Sequence, residues 1–246
     1  MFDLVLKLLA NNLNEKEMVL NLIELLIGFA YSEEHMKFLR EWVESGPYVV
    51  KEGSKVTIPS NLLSQDNRFS IVAFIYRSRV ISLEEKTKLL EAEVERDKNS
   101  DRSIRARCRC RASLPDAEVK KEIWEMIVNP PESESLYNMK AYMSGFTSID
   151  QLDLVEKYVL DSFLEEGAVT VAKQDYFYVD AFVNFCGPVY FVRPDVIERI
   201  ESVAEKVQDR DQMRRKLLEL ADDMRRFHKA QALAELKMAL LNRWGK

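Results

Sequence analysis

Five arginines stand between positions 102 and 111: Arg102, Arg105, Arg107, Arg109 and Arg111. A guanidinium presents a planar fork of N–H donors that grips an oxyanion through two parallel hydrogen bonds. Residues four apart on a helix share a face. Arg105 and Arg109 therefore form one pair, and Arg107 and Arg111 another. Such a row either binds an anionic group or pairs with Asp97, Asp101 and Asp116 on neighbouring helices. Tyr142, Tyr176 and Tyr178 add hydroxyls that either line a chamber or sit in a core.

Other chemistry is sparse. The three cysteines are Cys108, Cys110 and Cys186. An odd, low count suits a reducing compartment rather than a disulfide framework. Cys108 and Cys110 are two apart, so on a helix they diverge and make no metal clip. Cys108 lies between two arginines, but a cysteine nucleophile needs a base, and no histidine is near it in sequence. A zincin helix carries two histidines four apart, with a glutamate after the first. Only His35 and His228 are present; His35 follows Glu34, but position 39 is leucine. There is no Gly-rich phosphate loop, G-x-S-x-G elbow or C-x-x-C pair. The chain by itself is expected to be catalytically inactive.

The elements that would position these residues are helical. The 246 residues hold only seven glycines and seven prolines, which disfavours a β-sandwich. Apolar residues make up 47% and charged residues 31%, as in a globular protein. The net charge is 36 − 41 = −5, too small to demand a charged partner. No segment reaches the roughly 20 apolar residues that a membrane span needs. No basic, apolar leader precedes the first helix. A cytoplasmic location is the expectation, with neither membrane nor nucleic-acid partners.

Met18, Leu22, Leu26 and Phe29 form one apolar stripe beside Val19, Ile23 and Ile27, as in a buried helix. Ser32 opens the next helix, which runs to about Ser45. Residues 46–67 read as an irregular loop, with room for a small hairpin at Val49-Val50 and Lys55–Ile58. Ser82–Glu85 and Ser148–Gln151 read as capping boxes, and Pro115-Asp116 as another helix start. These three starts are 33 residues apart, and a second series near Asp101, Ser133 and Ala168 is spaced by 32 and 35. Two helices per such period is the signature of stacked helical hairpins. The aromatic stretch 168–192 is read as a helix from about Gln174 to Cys186, followed by a new start at Arg193-Pro194-Asp195. From Gln208 on, ten basic and six acidic residues give 10 − 6 = +4, leaving −9 for the rest. Met213, Leu217, Leu220, Met224 and Phe227 there form one apolar seam, read as a last helix packed on the end of the stack.

The run Arg96, Asp97, Asp101, then Cys110, Ala112, Ser113, then Pro115, Asp116, Ala117, Lys120 and Trp124, resembles the C-terminal helical domain of the zinc aminopeptidase family that includes aminopeptidase N, puromycin-sensitive aminopeptidase and ER aminopeptidase. Leu39–Gly46, Arg68–Ile71 and Leu136–Phe146 extend the resemblance to about residues 35–207. Gly187–Asp195 and the alternating arginines depart from the pattern. The resemblance implies an all-α fold, a superhelical stack of antiparallel helix pairs of the HEAT/armadillo-like α-solenoid type. Residues 1–246 would form one helical-repeat domain.

In that family such a domain closes over a catalytic domain and walls the chamber that holds the peptide. Arg105, Arg107, Arg109, Arg111 and Tyr142 would then be the substrate-binding residues. The partners would be the catalytic domain of the same polypeptide and a peptide substrate. No cofactor is expected in this chain; zinc, which would activate the attacking water, is implied for the catalytic domain. That domain's H-E-x-x-H and G-x-M-E-N signatures do not occur here. The chain is thus expected to be a fragment of a larger enzyme or a stand-alone relative. The alternative is a stand-alone helical-repeat scaffold that binds another protein.

Overall fold

Ser32 Oγ accepts the backbone N–H of His35, and Ser64 Oγ that of Asn67, so each serine starts a helix by satisfying an amide the helix cannot. Ser82 and Glu85 go further and close a full capping box. The same device recurs along the chain. In the computed structural model, which describes the backbone of residues 1–244 and the side chains of residues 1–235, 237 and 238, the result is an all-helical protein with one short hairpin.

The chain divides into two compact units, Met1–Val119 and Lys120–Lys246. The first holds α1 (Phe2–Asn11), α2 (Lys16–Gly28), α3 (Glu33–Ser45), α4 (Gln65–Tyr76), α5 (Leu83–Arg96) and α6 (Asp101–Ala112). Between α3 and α4, strands β1 (Tyr48–Lys51) and β2 (Ser54–Thr57) pair antiparallel with Lys51 opposite Ser54. The hairpin turn is Glu52-Gly53, both at positive φ (50° and 80°), the conformation of the tight two-residue turn. The hairpin thus forms inside the predicted loop.

Helix α4 is the axis of this unit and packs against α2, α3, α5 and α6. It is buried on nearly every side, from Asn67 to Tyr76. One of those buried residues is Arg68, whose charge is answered by Glu93 of α5, itself only 3% exposed. On α2, Val19, Leu22, Ile23 and Leu26 are buried, while Met18 and Phe29 are exposed, so the predicted stripe is half correct.

Helix α7 (Ala117–Val128) begins in the first unit, where Asp116 Oδ1 accepts the N–H groups of Glu118 and Val119 at 2.9 and 3.0 Å. The second unit continues with α8 (Leu136–Phe146), a 3-10 turn at Ile149–Gln151, α9 (Leu152–Glu156), a π-helical stretch Lys157–Gly167, α10 (Ala168–Val171), α11 (Tyr176–Cys186), α12 (Pro194–Lys206) and α13 (Asp211–Trp244). Its core is aromatic: Trp124, Phe146, Tyr158, Phe163 and Phe182 pack ring to ring at 4.9–5.9 Å.

Two sequence expectations fail here. Ser148 makes no cap; its hydroxyl bonds Asp150, and the helix starts through a 3-10 turn. Ala168 opens no helix, because the π stretch before it runs straight into α10. The helix starts near 174 and 194 are found at Tyr176 and Pro194. The predicted seam of α13 is buried at Met213, Leu217 and Met224 against its own unit, with Ala221 also buried; Phe227 is 61% exposed.

Candidate functional site

Helix α6, which carries the arginines, is set by the turn before it. Lys98 and Asn99 both take positive φ (56° and 55°), and Asn99 N–H returns to Val94 O at 3.1 Å, ending α5 sharply. Asp97 then gathers the start of α6: Ser100 Oγ and Ser103 Oγ both donate to it, the latter at 2.9 Å. Partial burial works against the Asp97 charge, but these two hydroxyls, with Arg102 and Arg105, hold its carboxyl below the usual range.

The five arginines separate by partner. Arg102 lies 3.5 Å from Asp66 and 3.8 Å from Asp97. Arg105 faces the Asp97 charge. Arg107 makes a two-pronged pair with Glu91 of α5, one contact at 2.6 Å, which lowers the Glu91 carboxyl and raises the guanidinium. Arg111 is exposed at the end of the helix and is also engaged. Of the expected partners Asp97 is found, and Asp66 and Glu91 were not expected. Asp116 caps α7.

Arg109 differs. It is half-buried against α4, and among the described residues its guanidinium makes one side-chain hydrogen bond, to Ser70 Oγ at 3.2 Å, and no ion pair. Burial depresses its pKa, and the nearby Arg77 charge pushes the same way. Cys110 offers no counter-charge: burial pushes its thiol far up, so it is neutral at pH 7. Tyr76, on the same helix as Arg77, has its hydroxyl raised to about 12, chiefly by burial. All three cysteines are free and buried.

The predicted tyrosine, Tyr142, is buried in the second unit at 9% exposure. Tyr178 is structural: its buried hydroxyl donates to Ile127 O at 2.6 Å. Lys120, fully buried, donates from Nζ to Phe146 O at 2.7 Å, meeting a carbonyl that α8 leaves open at its C-terminal end. The second unit also carries an open groove of about 470 Å3, lined by Val189, Leu220, Met224 and Phe227 with Lys216 and Asp223 at its polar edge.

Zinc, implied only for a catalytic domain, finds no fitting ligand in His35. That ring stacks on Phe2 at 3.8 Å, and its Nδ1 accepts the Tyr31 N–H at 3.3 Å. Burial lowers its pKa. Among the described residues no three His, Cys, Asp or Glu side chains gather as a metal-binding group. No described helix is long and apolar enough to cross a membrane.

The chain matches no protein-family model, and no curated protein matches it in sequence.

Proposed function

We propose that this chain is the C-terminal substrate-chamber and regulatory domain of a zinc metalloaminopeptidase that removes N-terminal residues from peptides, its helices stacked in pairs as a HEAT-like superhelix. The observation that carries this reading is where the resemblance residues lie. Asp97 holds the α5–α6 turn through Ser100 and Ser103, Asp116 starts α7, and Lys120 closes α8. Residues that make the joints of a fold are the ones a shared architecture would retain, which is the support this reading has. The domain would supply chamber walls and take part in closure, which can gate turnover. Within the arginine row of α6, Arg109, which makes no ion pair among the described residues, would offer its guanidinium group to an anionic part of the peptide.

The test is an immunoblot of source cells, with immunoprecipitation by an antibody to this chain. A band several-fold heavier than 28.7 kDa whose precipitate releases N-terminal amino acids, and loses that activity to a chelator, supports the reading. A band at 28.7 kDa without such activity overturns it.

A second reading, a helical scaffold that binds another protein, is favoured by the groove at Val189, Leu220 and Phe227 and by the exposed Tyr190 beside it. The light band together with a co-precipitating protein would favour it.

A further inference from the structure

We propose that two copies of this chain pair antiparallel through the distal half of α13, so that the arm of each copy covers the groove of the other. Met213, Leu217, Leu220, Met224 and Phe227 follow a four-three spacing, and the same spacing runs on to Gln231, Ala234 and Met238. That is the heptad seam of a two-helix coiled coil. Met213, Leu217 and Met224 bury their share of the seam inside the second unit. From Arg226 to Met238 every described residue is exposed, Met238 at 58%. The groove lies on the same seam, with Leu220 and Phe227 in its wall. The charges select the occupant. At the groove edge Lys216 is held by Asp180 at 2.7 Å and by Glu219 at 3.0 Å, while Asp223 has no ion pair among the described residues. The edge is therefore acidic. On the arm, Lys229 and Lys237 likewise have no ion pair among the described residues, and Arg225 and Arg226 add to its positive charge. Asp223 and Lys237 flank the seam on the same side, two heptads apart. When two arms run antiparallel about a two-fold axis, Asp223 of each copy meets Lys237 of the other. That register sets Met238 of one copy beside Leu220 of the other, at the groove. It also brings the two Gln231 amides near the axis, where a polar seam residue fixes register. The pairing uses the second unit alone and stands independently of the aminopeptidase reading.

The test is sedimentation equilibrium of the full chain, with circular dichroism as a check that each variant folds. The expected mass at micromolar concentration is twice 28.7 kDa. Met238→Lys should raise the dimer dissociation constant by about tenfold or more. It should still unfold cooperatively, because Met238 is exposed in the single chain. Asp223→Lys and Lys237→Asp should each weaken the dimer by roughly fivefold, and the double variant, which restores the pair with its signs exchanged, should recover it. A mass of 28.7 kDa at every concentration overturns the proposal and leaves the groove to a different protein. A dimer that Met238→Lys does not weaken, or charge reversals whose losses add in the double variant, would also overturn it. Assemblies that keep growing with concentration would mean head-to-tail contacts and overturn the two-fold pairing. None of these outcomes depends on peptidase activity, so the pairing and the proposed function fail separately.

Discussion

Arg68 and Glu93 meet as a two-pronged pair inside the first unit, Nε to Oε2 at 2.7 Å and Nη2 to Oε1 at 2.6 Å. The same Nη2 donates to Val43 O at 2.6 Å, and Gln65 donates to Glu93 at 3.1 Å. One ionic contact therefore ties α3, α4 and α5. A buried pair is costly to break from one side and cheap to replace from both. Arg68→Met or Glu93→Leu alone should each destabilise by about 3–5 kcal/mol in urea unfolding. The double variant should recover most of that loss. Additive losses would show that the two charges act separately.

Lys120 is fully buried at the edge of the second unit's aromatic core, with Nζ 2.7 Å from Phe146 O. Lys120→Met keeps the apolar stem and leaves that carbonyl open. The expected cost is about 1–3 kcal/mol, read as a lower urea midpoint. An unchanged midpoint would mean that water takes over the carbonyl.

Gly187 ends α11 where the backbone turns back on itself. A Cβ there would lie 2.5 Å from Val183 O and 3.3 Å from Leu220 Cδ2. The first contact is with backbone and has no flexible way out. Gly187→Ala should cost about 1–3 kcal/mol, whereas Gly28→Ala, whose Cβ meets nothing within 4 Å, should not destabilise. Equal midpoints for the two variants would contradict this geometry.

His35 sets a pH dependence. Its pKa is lowered from 6.5 by burial, against the opposing pull of Asp3 and Glu34. Between the depressed folded value and 6.5 the unfolded chain binds the extra proton, so stability is complete above 6.5 and is lost as pH falls below it. Protonation also removes the Nδ1 acceptor used by Tyr31 N–H. The thermal midpoint should fall just below pH 6.5, and His35→Phe, which retains an aromatic ring to stack on Phe2, should flatten that step. The loss from Glu41, Glu85 and Glu91, held below 4.5 by Tyr48, Ser82 and Arg107 respectively, should survive in the variant at lower pH.

Much of the secondary structure was legible because helix starts are local chemistry. The Ser82–Glu85 box, the Asp116 cap and Pro194 at the first turn of α12 each depend on residues within three or four positions. The same local logic misled at Ser148, where Asp150 captured the hydroxyl, and at Ala168, where a π-helical run continues through the predicted start. Helix α4 holds almost no apolar periodicity, since a helix surrounded on all sides has no polar face to mark it.

By itself the sequence determined that this protein is helical, where most of its helices begin, and that five arginines share one short helix. Those outcomes follow from hydrogen bonds and periodicities that span a few residues. Only the tertiary structure decided which arginine is paired. Glu91 is 16 residues from Arg107 and answers it, and Ser70, 39 residues from Arg109, brings only a hydroxyl. Nothing in the local spacing distinguishes those two arginines; the helix each one faces does.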